Sequence, residues 1–226
     1  MAKVDNYSRL FGVPLSVHYL GEEFSELSNQ ITVDSLTEFR VDPEGSPRSN
    51  FGGWHSSFGI DGKYDSFSKL KTIITEHGNL FCKNQGFLDG LECVNMWANL
   101  SGPGDMNTPH THGTDPLTGV FYPVDSISED GTFNTSYEDD RLPLGIQMCD
   151  QARKEPGGSL VFTDPAYGKK ITLINKNDPD NVSWYHVYPK AGLLLLFPGY
   201  VTHFVTPFKE NKKRLSISFS LRYGKN

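Results

Sequence analysis

Cysteine is scarce in this sequence. Its 226 residues include three cysteines, Cys82, Cys93 and Cys149, and no Cys-x-x-Cys pair. A disulfide framework needs paired cysteines and a thiolate zinc site needs closely spaced ones, so the sequence predicts neither. We expect the three thiols to be free and buried.

Long apolar runs and an apolar leader are also missing. The longest apolar run, Leu193 to Phe197, is far too short to span a bilayer, and Met1 to Asp5 lacks the apolar stretch of a signal peptide. These absences favour a cytoplasmic protein with no membrane partner.

Positive charge is not concentrated in any long block. The formal net charge is −6, and the densest basic cluster comprises Lys209, Lys212, Lys213 and Arg214. A duplex nucleic-acid surface needs a basic stripe that replaces counterions, so nucleic acid is not expected as a general partner. A local basic rim beside a cavity could still steer an anionic substrate.

The composition is that of an ordinary soluble globular protein, with 37% hydrophobic and 21% charged residues. The length fits one large domain, and we predict a single domain over residues 1–226. Residues 1–85 read as a helical support packed on a β core of residues 86–226. A polar insertion near residues 125–157 interrupts that core, either as a lid or as a solvated excursion.

Two helices are predicted in the first part of the chain. Phe24, Leu27 and Ile31 recur at helical spacing between residues 22 and 31. A stronger helix begins at Asp65 or Ser66, either of which can cap it, and is predicted to end at Gly78-Asn79. Its apolar stripe consists of Phe67, Leu70, Ile73, Ile74 and His77, which makes His77 a packed helix residue rather than a ligand.

Short strands separated by glycine and proline turns follow residue 90. The predicted strands are Leu91 to Leu100, Leu117 to Val124, Ser159 to Thr163, Ile171 to Asn175, Val182 to Tyr188, Leu193 to Phe197 and Leu215 to Tyr223. Such a series is typical of a sandwich or a double-sheet jelly roll. We therefore predict a mainly β fold with supporting N-terminal helices.

Three histidines and an arginine suggest a metal and anion pocket. In an extended segment His110 and His112 point to the same face, and His203 can join them from a distant strand. Imidazole is a common ligand for iron, zinc, copper and nickel; the alternative is a surface loop between Pro109 and Pro116. Arg214 precedes Ser216 on a strand-like run, and a buried guanidinium beside the histidines needs an anion.

A series of motifs resembles the 2-oxoglutarate- and Fe(II)-dependent oxygenases, most closely the prolyl-hydroxylase-related branch with its small bacterial and phage members. The resemblance covers about residues 90–223 and depends on the order of the motifs. They are Asn95-Met-Trp-Ala-Asn99, Pro109-His-Thr-His112, Leu117-Thr-Gly-Val-Phe-Tyr122, Gly158-Ser-Leu-Val-Phe-Thr-Asp-Pro165, Pro189-Lys-Ala-Gly-Leu-Leu-Leu-Leu-Phe-Pro198, His203-Phe-Val-Thr-Pro207 and Arg214-Leu-Ser-Ile-Ser-Phe219.

The resemblance implies a double-stranded β-helix (a cupin-like jelly roll) that holds Fe(II) at one end of the barrel. His110 matches the first histidine of the family's His-x-Asp/Glu motif, and His203 matches the distal histidine. His112 stands where the family has a carboxylate, so three histidines would bind the metal and its net charge would be one unit more positive. The alternative is that Asp115 swings in as the carboxylate ligand.

The resemblance also implies a site for 2-oxoglutarate. Arg214 and Ser216 match the Arg-x-Ser pair that holds the remote carboxylate, and Tyr122 could donate a hydrogen bond to it. Asn99 lies where the branch often places a residue near the other end of this cosubstrate. The implied reaction uses dioxygen, decarboxylates 2-oxoglutarate to succinate and hydroxylates an unidentified substrate, with a prolyl or other peptide residue as the nearest analogy.

Three residues are candidates for contact with the primary substrate: Trp97, Asp164 and Tyr167. Packing in the β core is the alternative explanation for the aromatic pair. Two other functions stay open at this stage. One is a three-histidine metalloenzyme that does not use 2-oxoglutarate, and the other is a non-catalytic jelly-roll binding module.

Overall fold

The computed structural model describes residues 6–10, 12–133, 157–165 and 184–224, with the main chain alone for residues 6–10. Two α-helices, α1 (Ser25–Val41) and α2 (Asp65–Gln85), lie in the first part of the chain. Twelve strands are described. They are β1 (Asn6–Leu10), β2 (Val13–Tyr19), β3 (Asn50–Phe51), β4 (Trp54–His55), β5 (Leu91–Ser101), β6 (Met106–His110), β7 (Leu117–Tyr122), β8 (Leu160–Thr163), β9 (Trp184–Val187), β10 (Leu193–Phe197), β11 (His203–Val205) and β12 (Arg214–Tyr223).

The strands form two antiparallel sheets, as predicted for a jelly roll. The larger sheet has the order β1-β2-β10-β7-β12-β5-β4 and the smaller one has the order β3-β6-β11-β8-β9. The fold is a double-stranded β-helix supported by N-terminal helices, which confirms the predicted fold class. In the described part of the chain, no helix is long and apolar enough to cross a membrane.

Alternation along β12 gives the larger sheet two different faces. Leu215, Ile217, Phe219 and Leu221 belong to the core cluster that also contains residues of α1 and α2. The intervening residues Arg214, Ser216, Ser218 and Ser220 are polar and face the smaller sheet; Ser218 is half-buried and the other three are buried. One face therefore holds the helical layer and the other is free to build a polar site.

The second helix extends further than predicted. It continues through Gly78 to Gln85 and ends at Gly86, which has a left-handed φ of 71°. Gly78 lies against the larger sheet, where an added Cβ would lie 2.4 Å from Cδ2 of Leu221. This glycine permits close packing of helix on sheet instead of ending the helix.

The N-terminal part contributes strands as well as helices. In β2, Val13, Leu15 and Val17 alternate with polar residues, and the strand pairs with β10 in the larger sheet. The strands β3 and β4 each have two residues, too few to show a period in the sequence. The predicted strand at residues 171–175, residues 134–156 of the predicted insertion, Cys149 and Tyr167 lie outside the described residues.

Candidate active site

A cavity of about 320 Å³ opens between the two sheets. This volume is at the lower end of the range for small-molecule sites. The larger sheet contributes lining residues from β5, β7 and β12, and the smaller sheet contributes them from β6, β8 and β11. The lining includes His55, Phe58, Trp97, Asn99, His110, His112, Tyr122, His203, Arg214, Ser216 and Ser218.

His110, His112 and His203 converge at one point on this lining. Their candidate ligand atoms all lie within 4.8 Å of one another. His110 and His203 face each other in the register of β6 and β11, which explains how residues so distant in sequence meet. His112 lies just beyond the end of β6, with its ring centroid 5.4 Å from that of His110.

Backbone hydrogen bonds orient two of the three rings. Nδ1 of His110 donates to the Thr108 carbonyl at 2.7 Å, and Nδ1 of His203 donates to the Val201 carbonyl at 2.8 Å. A carbonyl is only an acceptor, so each Nδ1 carries the proton and each Nε2 presents a lone pair. This tautomer is the one that binds a metal through Nε2.

Ring stacking orients His112. Its ring lies nearly parallel to those of Trp97 and His203, at centroid distances of 5.8 Å and 5.2 Å. Within the described residues its side chain has no hydrogen-bond partner. Either nitrogen of His112 is therefore available as a ligand.

All three histidines are held neutral. Burial, with a smaller contribution from the adjacent His110, lowers the pKa of His203 to about 3. Burial also lowers the pKa of His112 to about 4 and lowers that of His110. Neutral imidazole is the form that binds metal, so no proton has to be displaced at neutral pH.

Asp115, the alternative carboxylate ligand, has another partner. Its Oδ1 accepts a hydrogen bond from Nε of Arg222 at 2.5 Å, and its backbone N–H donates to the His112 carbonyl at 3.2 Å. The carboxylate is buried in this ion pair and is not part of the convergent group.

Arg214 is fully buried in the wall of the cavity. Nη1 donates to Ser216 Oγ at 3.2 Å and Nη2 donates to Tyr122 Oη at 3.1 Å, while the guanidinium lies 5.1 Å from the centre of the Tyr122 ring. Its Nε is buried and has no hydrogen-bond partner among the described residues. No carboxylate in the described chain pairs with it. A buried guanidinium with an unsatisfied N–H and no anion nearby lowers the stability of the folded state.

The remaining predicted site residues do not all line the cavity. Asn99 lines the cavity and donates from Nδ2 to Ser218 Oγ at 3.1 Å. Trp97 lines it as well, beside His112. Asp164 is buried and is absent from the described lining. Tyr167 lies outside the described residues.

Two lining residues were missed by the sequence reasoning. His55 is buried and stacks on Trp97 at a centroid distance of 5.6 Å, and Arg48 lies at the mouth. His55 pairs with Asn99 in the register of β4 with β5, and no local pattern in the sequence predicts that pairing. A histidine two residues after the glycine pair Gly52-Gly53 was the sole signal.

A scan against known families gives one clear match. The profile described as a 2OG-Fe(II) oxygenase matches residues 95–220, more than half of the chain. The chain belongs to this 2OG-Fe(II) oxygenase family. Its cofactor is Fe(II), and 2-oxoglutarate and dioxygen are its cosubstrates, as predicted. A search of curated proteins finds no match.

Solved structures of oxygenases share the fold at low sequence identity. A prolyl-4-hydroxylase from Pseudomonas putida has a TM-score of 0.59 and 18% identity, with 93% of each chain covered. The carbocyclase SnoK of nogalamycin biosynthesis, described as α-ketoglutarate dependent, has a TM-score of 0.60 and 10% identity, over 92% of this chain and 79% of that one. A Trichoplax adhaerens prolyl hydroxylase, in complex with a hypoxia-inducible-factor peptide, has a TM-score of 0.52 and 14% identity, over 91% and 83%.

The residues of the cavity fit both Fe(II) and 2-oxoglutarate, the two groups that this family uses. Three neutral imidazoles that leave coordination positions open suit a ferrous ion. The unpaired Nε and the two Nη donors of Arg214 form a buried cationic site for a carboxylate.

Proposed function

We propose that this chain is a dioxygenase in which His110, His112 and His203 hold Fe(II) and Arg214 holds the remote carboxylate of 2-oxoglutarate. One observation carries the proposal: a buried arginine with no anionic partner among the described residues shares one cavity with three convergent neutral histidines. A dicarboxylate is the ligand that would satisfy the arginine and reach the metal.

The histidines would act as a three-nitrogen ligand set. The Nδ1 hydrogen bonds of His110 and His203 fix their Nε2 atoms toward a common centre before any metal arrives. Such orientation of ligands by the groups behind them raises metal affinity. Asp115 stays in its ion pair with Arg222, so the ligand set carries no negative charge.

Arg214, Ser216 and Tyr122 would bind the cosubstrate as a unit. The two hydroxyls hold the guanidinium in place, and Tyr122 Oη can donate its own proton to a carboxylate oxygen. Burial raises the pKa of Tyr122, although the positive charge of Arg214 opposes this, so the hydroxyl keeps its proton. Asn99 lies on the same wall and would contact the other end of the cosubstrate.

The proposed reaction is hydroxylation of a substrate C–H. Bound iron would let dioxygen act as the oxidant: one oxygen atom would enter succinate as 2-oxoglutarate loses CO₂, and the other would enter the substrate C–H bond as a hydroxyl. The described residues would orient the substrate and exclude water. Two prolyl hydroxylases among the structural relatives support hydroxylation, and the peptide bound to one of them supports a prolyl or other peptide residue as substrate. We propose Trp97 as a substrate contact, with Asp164 and Tyr167 as weaker candidates.

Anaerobic titration with Fe(II) and 2-oxoglutarate tests the proposal. Wild-type protein should develop the weak visible charge-transfer band of the metal-bound 2-oxo acid. The variant R214M should bind Fe(II) normally yet need at least about 100-fold more 2-oxoglutarate, since a buried charged pair is lost. A wild-type protein that binds the metal but shows no band would refute the proposal.

Two further variants refine this experiment. Y122F keeps the ring beneath the guanidinium and removes one hydroxyl, so about a tenfold loss of 2-oxoglutarate affinity is expected. R40M removes an exposed arginine on α1 far from the lining and serves as the control. R40M should match wild type in every measurement.

A second candidate function follows from His112. Three histidines without a carboxylate also suit zinc, so a metalloenzyme that does not use 2-oxoglutarate is the alternative. R214M separates the two functions. If the chain is a 2-oxoglutarate-dependent dioxygenase, R214M should abolish succinate formation. If it is a metalloenzyme that does not use 2-oxoglutarate, R214M should change its metal-dependent activity little.

A further inference from the structure

Arg48 and Ser49 form one rim of the cavity, and Ser49 is fixed to the histidine-bearing sheet. The Ser49 carbonyl accepts hydrogen bonds from the backbone N–H of Thr108 at 2.8 Å and from its Oγ1 at 3.1 Å. Asn107 Nδ2 donates to Ser49 Oγ at 3.3 Å. Thr108 is also the residue whose carbonyl orients His110. The rim and the proposed metal site therefore share one rigid support.

Arg48 presents a positive charge on this rim. Its guanidinium lies 5.0 Å from the centre of the Phe58 ring, a cation–π contact that limits where the side chain can point. No carboxylate in the described chain forms an ion pair with it. Its charge also acts on a residue deeper in the cavity. Burial lowers the pKa of His55, and the positive charge of Arg48 lowers it as well.

Phe58 continues an aromatic wall toward the histidines. It is 45% exposed, and its ring makes T-shaped contacts with the rings of His55 and Trp97 at centroid distances of 5.9 Å and 5.3 Å. A large exposed aromatic at the mouth of a cavity is a surface for an apolar part of a ligand.

The charge of the cavity is one-sided. Its described lining contains two arginines and four histidines and no aspartate or glutamate. In the proposed complex, one carboxylate of 2-oxoglutarate would pair with Arg214 and the other would offset one of the two metal charges, because the histidine ligands are neutral. One positive charge then stays in the depth of the cavity and a second, Arg48, stays at its rim.

We propose that Arg48 and Phe58 form a substrate subsite for a carboxylate joined to a compact apolar group. The carboxylate binds the guanidinium fork and the apolar group packs on the Phe58 ring, which directs the rest of the substrate toward the histidines. A carboxylate suits this rim better than a phosphate, since a single guanidinium balances one negative charge. This inference rests on the proposed function, which supplies the charge in the depth of the cavity.

Matched acids and amides test the subsite without turnover. The protein is loaded with Mn(II) and saturating 2-oxoglutarate under argon, which fills the deeper site. Binding of N-acetyl-L-proline and of phenylacetate is then compared with that of N-acetyl-L-prolinamide and phenylacetamide by ligand-observed NMR. Wild type should bind at least one acid about tenfold more tightly than its amide, as expected for a partly exposed charged hydrogen bond.

Variants assign the preference to Arg48. R48Q should bind acid and amide equally, R48K should keep part of the preference, and the control R40Q should keep all of it. Mn(II) and 2-oxoglutarate should bind R48Q as they bind wild type.

Several outcomes overturn the subsite. They are no binding of either acid, equal binding of acid and amide by wild type, a preference that survives in R48Q, and tighter binding of benzyl phosphate than of phenylacetate. Failure of 2-oxoglutarate itself to bind the Mn(II)-loaded wild type would instead refute the proposed function, and the subsite with it.

Discussion

At the scale of single residues, Trp97 has the most testable role. Its indole stacks with the rings of both His55 and His112, and no hydrogen bond from the described residues fixes the His112 ring. We expect W97L to weaken Mn(II) binding by about tenfold, the usual effect of losing a group that orients a ligand. W97F keeps an aromatic face and should restore most of the affinity.

Isothermal titration with Mn(II) measures this effect, and the imidazole NMR signals of His112 report its cause. Loss of the indole ring current should shift those signals in W97L more than the signals of His110. W184L removes an exposed tryptophan outside the described lining and should change neither quantity. Normal Mn(II) affinity in folded W97L would contradict the role.

The buried histidines also predict a pH dependence of stability. In the unfolded chain they titrate near their ordinary value of 6.5, whereas the folded pKa is about 4 for His112 and about 3 for His203. Below pH 6.5 the unfolded state binds more protons, so the free energy of unfolding falls as the pH falls toward 4. The limiting slope is ~1.4 kcal/mol per pH unit for each histidine.

Urea unfolding of metal-free protein between pH 7.5 and 5.5 measures this loss. The double variant H112Q/H203Q should lose less stability over that range than wild type. Equal pH dependence of the two proteins would show that other groups cause it.

At the scale of elements, Gly78 sets the distance between α2 and the larger sheet. Alanine in a helix interior ordinarily stabilises relative to glycine by about 1 kcal/mol. Here the added Cβ would lie 2.4 Å from Cδ2 of Leu221, so G78A should instead destabilise by about 1–3 kcal/mol through overpacking. Urea denaturation measures the change.

A double-mutant cycle checks the cause of that destabilisation. L221V removes the methyl group nearest to the new Cβ, so G78A/L221V should be more stable than the sum of the single changes predicts. Additive effects would place the strain elsewhere.

Helices and strands were predictable from the sequence where the pattern lay within the segment itself. The stripe of α2 and the alternation of β12 placed those elements correctly, and His110, His203 and Arg214 occur within motifs of known order. The predicted helix end at Gly78 was wrong because glycine occurs both at helix C-termini and inside helices that pack closely on a sheet. His55 and Arg48 were missed because long-range pairing of two-residue strands brings them to the cavity.

At the scale of the whole molecule, the two proposed binding functions lie on different sheets. His110 and His203 belong to the smaller sheet, and Arg214 and Tyr122 belong to the larger one. Metal-bound 2-oxoglutarate would therefore connect the sheets across the cavity. Binding to the native state alone, at 100 times the dissociation constant, stabilises by ~2.7 kcal/mol.

Hydrogen exchange should reveal this connection. With Mn(II) and 2-oxoglutarate together, amides of β6, β11 and β12 should exchange more slowly, whereas Mn(II) alone should protect β6 and β11. In R214M, addition of 2-oxoglutarate should give no further protection. Protection of one sheet alone in the fully loaded wild type would argue against a ligand that spans both.

The unpaired Nε of Arg214 has a consequence for the lifetime of the protein in the cell. Among the described residues, Nε of this buried cation has no hydrogen-bond acceptor. Proteases act on the small fraction of molecules that open, and a ligand that completes the buried site reduces that fraction. The amount of enzyme that survives should thus follow the local supply of 2-oxoglutarate, so scarcity of the cosubstrate would lower the abundance of the catalyst as well as its rate.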